Sequence, residues 1–283
     1  MIRYPSLGKN TTIGITAPSS GVPEEHHLLL GMALKSMEEK SFHVVTGKTL
    51  WTQDKEKSAP ARERADEFNQ MMQDENIQMI LPPWGGELLI EILDSVDFDA
   101  LQPKWIVGYS DISTLLLAVT LKTGIATAHG TNLIDLRGNY SDKTTAMWKS
   151  VLETGKGESI LQHSSEKYQK EWHHEQPSAS VFHLTEPTNW QSVSGDVVRI
   201  KGRLLGGCID TIRHLIGTPY GDVQTFKRTY NDGKPILWFL ENCELSSVDL
   251  RRSLIQMKLA GWFDHVWQKC SRGFARLSNE GCI

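Results

Sequence analysis

Between residues 11 and 152 the chain alternates short, β-prone apolar runs with longer segments of helical period, joined by brief turns. No other feature restricts the fold as much. Strands separated by helices run parallel, and helices must then cover both faces of the sheet. The spacing predicts strands over 11–16, 42–45, 77–81, 104–108 and 125–128. It predicts helices from Pro23 to about residue 40, from Ser58 and Pro60 to about 74, from Leu88 onward, over 111–122, and from a Ser141 cap to about 152. In such a sheet, ligands bind beyond the carboxyl ends of the strands. Three turns of unusual composition fall there: 17–21 (Ala-Pro-Ser-Ser-Gly), Gly85-Gly86, and the turn at Ser110.

The stretch Lys104-Trp-Ile-Val-Gly-Tyr-Ser-Asp-Ile-Ser113 compresses strand, turn and helix into a few residues, with a serine at the turn. This is the arrangement of a nucleophile elbow, which lifts a hydroxyl off the sheet and frees the next backbone N–H, here that of Asp111, to hold an oxyanion. Hydrolase elbows carry glycine two residues after the serine, where this chain has Ile112. The competing reading is that Ser110 simply caps the following helix. Gly85 and Gly86, between a strand and a helix, let the backbone approach a ligand closely with amides turned outward, or make a plain tight turn.

Residues 163–195 are polar and rich in His, Glu, Ser and Pro, with isolated aromatics Tyr168, Trp172 and Trp190. They read as a connector or lid between two units. Trp172 either stacks on a substrate or anchors its own loop. A second unit begins near Val197, with β structure over 197–205, a helix over 208–215 and a buried strand over 235–240. Glu241 stands immediately after that strand, where an orienting acid or a solvated loop acid would be. Ser246 and Asp249 form a capping box for a helix to about 259. The expected organisation is an N-terminal α/β domain over 1–162, a connector over 163–195, and a smaller α/β or β-rich domain over 196–283.

Composition narrows the function. With net charge −4 over 283 residues, there is no broad basic surface for nucleic acid. No apolar run reaches the roughly 18 residues of a membrane span. The first residues have no signal-peptide core, so the expectation is cytoplasmic. The four cysteines form no C-x-x-C pair, and Cys208 and Cys243 sit in apolar surroundings that suggest buried thiols. The doublets His26-His27 and His173-His174 lack zinc-ligand spacing, and no metal or other cofactor is expected.

Five stretches occur in one order: 14–19 (Gly-Ile-Thr-Ala-Pro-Ser), 83–87 (Pro-Trp-Gly-Gly-Glu), 108–111 (Gly-Tyr-Ser-Asp), 202–207 (Gly-Arg-Leu-Leu-Gly-Gly) and 237–241 (Leu-Trp-Phe-Leu-Glu). Together they resemble the LD-carboxypeptidases, a serine peptidase family that includes microcin C immunity peptidases. The resemblance implies a two-domain α/β fold with the active site at the junction, a homodimer, no metal, and a Ser-Glu-His triad. Position by position, Ser110 is the nucleophile, the amide of Asp111 and one from Gly85-Gly86 form the oxyanion hole, and Glu241 supports the histidine. Cys208 stands where the family commonly has a substrate-contacting asparagine, and Trp172 or Tyr168 where an aromatic stacks on a nucleotide. The implied substrates are a peptidoglycan-derived peptide cleaved at an L–D amide bond or, for the immunity branch, an aminoacyl-nucleotide conjugate. A catalytically dead ligand-binding remnant is the reading from another class. The triad histidine of the family follows Glu241 near the C-terminus. The irregular run from Trp267 reads as a truncated or frameshifted ending, so the expectation is that this histidine is missing and that the chain turns over poorly. His265 matches a helix end, and His129 lies near the site but in the other domain.

Overall fold

The structure, a computed structural model, describes residues 1–8, 10–138, 142–171, 181–192 and 195–264. The N-terminal half is built on β1 (Thr12–Ile15), α1 (His27–Glu39), β2 (His43–Thr46), α2 (Ala61–Gln73), β3 (Met79–Ile80), β4 (Trp105–Gly108), α3 (Ile112–Thr123) and β5 (Ala128–His129). These strands form one five-stranded sheet in the order β2-β1-β3-β4-β5, with every pair parallel. The alternating pattern is therefore realised as the covered parallel sheet it implies. The carboxyl ends of β1, β3, β4 and β5 all open on the same side, which gathers Ser19, Gly85, Ser110 and His129 onto one rim.

Several boundaries shift for identifiable reasons. Residues 125–127 are not part of the sheet, because Ile125 bridges Arg3 and Ala126 N–H donates to the Arg3 carbonyl at 2.8 Å. The segment after Leu88 is a 3₁₀ helix, Leu89–Ser95, whose first N–H is held by the Asp111 side chain. The helix expected to about 152 is two short pieces, α4 (Lys143–Ala146) and α5 (Trp148–Glu153). Asp142 caps α4 by accepting from Thr144 and Thr145 N–H. Ser141, the expected cap, lies outside the described residues.

Residues 163–195 carry a two-residue antiparallel ladder, β6 (Lys167–Tyr168) with β7 (Glu186–Pro187). The C-terminal half has β8 (Arg203–Cys208), α6 (Ile209–Ile212), α7 (Val223–Thr229), β9 (Ile236–Glu241) and α8 (Ser247–Leu259). β8 and β9 pair in parallel, with Cys208 opposite Glu241. Strand structure begins at Arg203 rather than at 197, because the ladder stops where Pro235 has no N–H to donate. Glu241 is the last residue of β9, not the first of a loop. Ser246 caps α8, its hydroxyl accepting from Asp249 N–H and donating to the Asp249 carboxylate, so the reciprocal bond of the expected capping box is replaced by a side-chain pair.

α3 is apolar on nearly all sides and almost wholly buried, as a helix with no solvent face must be. One side packs beneath the parallel sheet and the other meets the C-terminal half. Leu115, Leu116 and Val119 share a continuous apolar cluster with Leu205, Ile209, Ile212 and Trp262. The opposite sheet face packs Ile13, Ile15 and Val107 against Leu30 and Met37 of α1. Among the described residues, no helix is long and apolar enough to cross a membrane.

Candidate active site

Ser110 occupies the turn between β4 and α3 with φ +59°, in the left-handed region that costs a non-glycine residue about 1–2 kcal/mol. A capping serine would sit in extended backbone and accept from the helix amides. The residue before α3 is instead Asp111, and no side chain caps that end. The strained turn thus belongs to the elbow reading and not to the capping one.

The Gly85-Gly86 turn lies directly against this serine. A Cβ on Gly85 would stand 2.7 Å from both Cβ and Oγ of Ser110 and 3.3 Å from Asp111 N, so only glycine fits. Gly86 has φ +147°, and a Cβ there would meet Ser19 Oγ at 2.3 Å. Among the described residues, the N–H groups of Gly85, Gly86 and Asp111 have no acceptor. That leaves a small concavity of free amides around a hydroxyl, which is what an oxyanion requires.

Two buried, oppositely charged side chains hold the turn in place. The Asp111 carboxylate accepts from Ser19 Oγ at 2.6 Å and from Leu89 N–H at 2.8 Å. Arg64, fully buried in α2, donates to the carbonyls of Pro18 (2.8 Å), Leu88 (3.0 Å) and Ala59 (2.9 Å), and to Glu91 at 2.5 Å. The two clamp the same pair of loops at adjacent residues, 18–19 and 88–89. Burial raises the Asp111 carboxyl above its usual range, while hydrogen bonds from Ser19 and Leu89 and the Arg64 charge pull it back. Neither side chain stood out in the sequence. Arg64 in particular sits in a run of alternating charges that reads as solvated helix surface.

Glu241 comes to the same rim from the other half of the chain. Gly108, two residues before Ser110, pairs with His129 across β4–β5, and His129 Nε2 lies 3.2 Å from Glu241 Oε2. The contact is close but not aligned as a hydrogen bond, and Oε2 is buried with no other partner. His129 Nδ1 is 3.3 Å from Ser113 Oγ, and its ring packs on Phe239 with centroids 5.3 Å apart. His129, set aside in the sequence as belonging to the other domain, is thus the imidazole in contact with Glu241. His265 lies outside the described residues.

A cavity of about 360 Å³ opens beside this group, walled by Tyr109, Thr131, Trp148, Phe182, Asp135 and Glu241 among others. Asp135 closes one side. Asn132 N–H donates to it at 3.2 Å, and the Tyr109 hydroxyl donates to it as well. Complete burial pushes the Asp135 carboxyl up to about 6 against these stabilising contacts. Burial, then the Asp135 charge, holds the Tyr109 phenol well above its ordinary value.

The remaining candidates are less central. Cys208 is buried, does not line the cavity, and points its thiol at Asp210; burial and the acids Glu241 and Asp210 push it up. Its backbone N–H donates to Ser113 Oγ. Cys243 is only half-buried, in contrast to the apolar setting expected. Asp210, not singled out from the sequence, fixes the loop after Glu241 by accepting from the N–H groups of Cys243, Glu244 and Leu245. Tyr168 lies in β6. Trp172 and the His173-His174 pair lie outside the described residues.

Comparison with known proteins identifies the family and the fold. The family model for the LD-carboxypeptidase N-terminal domain matches residues 13–130, and that for the C-terminal domain matches 201–267. The chain is 29% identical over 227 residues to a Vibrio cholerae protein named as a carboxypeptidase, covering 78% of this chain and 66% of that one. It is 28% identical over 260 residues to a Bacillus subtilis protein named as a murein peptide carboxypeptidase, covering 90% and 70%. It is 24% identical over 273 residues to the microcin C7 self-immunity protein MccF of Escherichia coli, covering 92% and 74%. The chain thus spans about two thirds to three quarters of the length of these relatives. MccF in complex with aspartyl sulfamoyl adenosine superimposes with a TM-score of 0.75 at 23% identity, over 94% of this chain and 78% of that one. Its fold is the same mostly parallel sheet with a smaller C-terminal unit. On the two domain matches, the chain belongs to the LD-carboxypeptidase family.

Proposed function

We propose that this chain is a serine-type carboxypeptidase that hydrolyses the amide bond between an L-centre and a C-terminal D-amino acid in a peptidoglycan-derived peptide. The observation that carries the reading is Ser110, held at φ +59° with Gly85 packed against its side chain and unpaired amides beside it. Ser110 Oγ adds to the scissile carbonyl carbon while its proton passes to the family's triad imidazole, a group distinct from His129 that no described residue places at Ser110. The N–H of Asp111 and one from the Gly85-Gly86 turn receive the oxyanion. Collapse of the tetrahedral centre expels the amine, which takes that proton. Water then attacks the acyl-serine by the same route, freeing the shortened peptide and regenerating Ser110. Glu241 is the acid that orients and supports the imidazole.

The second reading within the family is cleavage of an aminoacyl-nucleotide conjugate, supported by the likeness to MccF, whose structure holds an aminoacyl sulfamoyl adenosine. The test incubates the purified chain and its Ser110→Ala variant with a D-Ala-terminated muropeptide and, separately, with an aminoacyl-sulfamoyl adenosine. Ser110-dependent release of D-alanine supports the first reading, and Ser110-dependent release of the amino acid supports the second. Binding without product from either supports a ligand-binding module instead. A cytoplasmic homodimer belongs to the same proposal, and sedimentation of the purified chain tests its dimeric part.

A further inference from the structure

A polar relay joins the two halves of the chain behind Glu241. Cys208 N–H donates to Ser113 Oγ at 3.1 Å, Ser113 Oγ lies 3.3 Å from His129 Nδ1, and His129 Nε2 lies 3.2 Å from Glu241 Oε2. Since Ser113 Oγ already accepts from Cys208, its own hydrogen is available to Nδ1. A hydroxyl donating to Nδ1 selects the tautomer that carries its proton on Nε2, facing Glu241. The order Ser-His-acid resembles a triad, yet Ser113 is fully buried, with Gly207 packed so tightly on it that an added Cβ would come within 2.8 Å. No substrate reaches its hydroxyl, so the relay cannot serve a nucleophile at Ser113.

We infer that His129 is a positioning residue for Glu241. Resting on the peptidase reading above, the inference assigns the imidazole the task of fixing the Glu241 carboxylate at the lip of the crevice. Three observations converge on it. Glu241 Oε2 is buried and unpaired except for its contact with His129. The imidazole is itself held on two sides, by Ser113 and by the Phe239 ring. The residues involved come from α3, β5, β8 and β9, so the relay also ties the end of β9 to the end of β5. The other titratable groups around His129 are Asp135 and Tyr109, in the same cavity wall, and Cys208 on β8. Misplacing a group in an active site by about 1 Å can cost on the order of a hundredfold in rate.

The test has a spectroscopic arm and a kinetic arm, both on the full chain. Imidazole ¹⁵N spectra at neutral pH are expected to show His129 with its proton on Nε2. Ser113→Ala should mix the tautomers and Glu241→Gln should move the Nε2 resonance, whereas Ser110→Ala should leave both nitrogens unchanged. In hydrolysis of the D-Ala-terminated muropeptide, His129→Phe keeps the packing on Phe239 but loses the nitrogens. It should lower kcat about a hundredfold with KM little changed, and His129→Gln, which restores a donor, should recover part of that loss. Resonances indifferent to both Ser113→Ala and Glu241→Gln, or a His129→Phe variant with undiminished kcat, would overturn the inference. Coupled resonances in a wild-type chain that hydrolyses nothing would instead refute the peptidase reading and leave the relay in place.

Discussion

Replacing Asp135 by asparagine offers a quantitative test of the buried wall of the cavity beside His129 and Glu241. The wild-type carboxyl moves from an ordinary 3.8 to about 6 on folding, because complete burial outweighs the bonds from Asn132 and Tyr109. The sign follows directly. A raised value means the folded chain holds the proton more tightly than the unfolded one, so this group favours folding below about pH 4. Its contribution is lost as pH rises from about 4 to about 6, and stays lost above that. A gap from 3.8 to about 6, at 1.36 kcal/mol per pH unit, comes to about 3 kcal/mol in full. The asparagine side chain cannot ionise and is free of this dependence, while its carbonyl can still accept from Tyr109. Reversible urea unfolding of wild type and Asp135→Asn between pH 4 and pH 8 isolates the effect, because every other titrating group is common to both. The stability of the variant relative to wild type should improve by about 2–3 kcal/mol between pH 4 and pH 7, most of the full amount. A difference constant to within about 0.5 kcal/mol across that range would refute the assignment of a buried, proton-retaining carboxyl, since linkage demands a change.

Other substitutions probe the frame around the elbow. Gly85→Ala puts a methyl against Ser110 Oγ and near Asp111 N; D-alanine release should fall by on the order of 10²–10³ in kcat with KM nearly kept. Arg64→Met leaves the carbonyls of Pro18 and Leu88 without their donor, and should lower unfolding free energy by about 3–5 kcal/mol in urea titrations. Ser246→Ala removes the cap of α8 and should cost about 1 kcal/mol by the same measurement, without altering ligand binding at Ser110.

What could be read from the sequence was local, and what could not was long-range. Ser110, Gly85 and Gly86 are legible because each sits where a strand turns into the next segment, and turn chemistry is encoded by neighbours in the chain. Ser246 with Asp249 is legible for the same reason, and so, on inspection, is Asp222, whose side chain accepts from Thr225 N–H to open the unanticipated α7. The contact of His129 with Glu241 joins residues from the two halves of the chain and leaves no periodic or spaced trace. Arg64 shows the limit from another side. A buried guanidinium donating to three backbone carbonyls is indistinguishable in sequence from a helix-surface arginine. Strand ends moved where a distant segment competed for the backbone, as Arg3 does at Ile125.

The central claim is that the amides beside Ser110 receive a scissile carbonyl oxygen. A crystal structure of Ser110→Ala with a D-Ala-terminated muropeptide bound tests it without requiring turnover. The carbonyl oxygen should accept from Asp111 N–H and from the Gly85-Gly86 turn, with its carbon about 3 Å from where Oγ would be. A peptide bound elsewhere, with those amides still unpaired, would contradict the account.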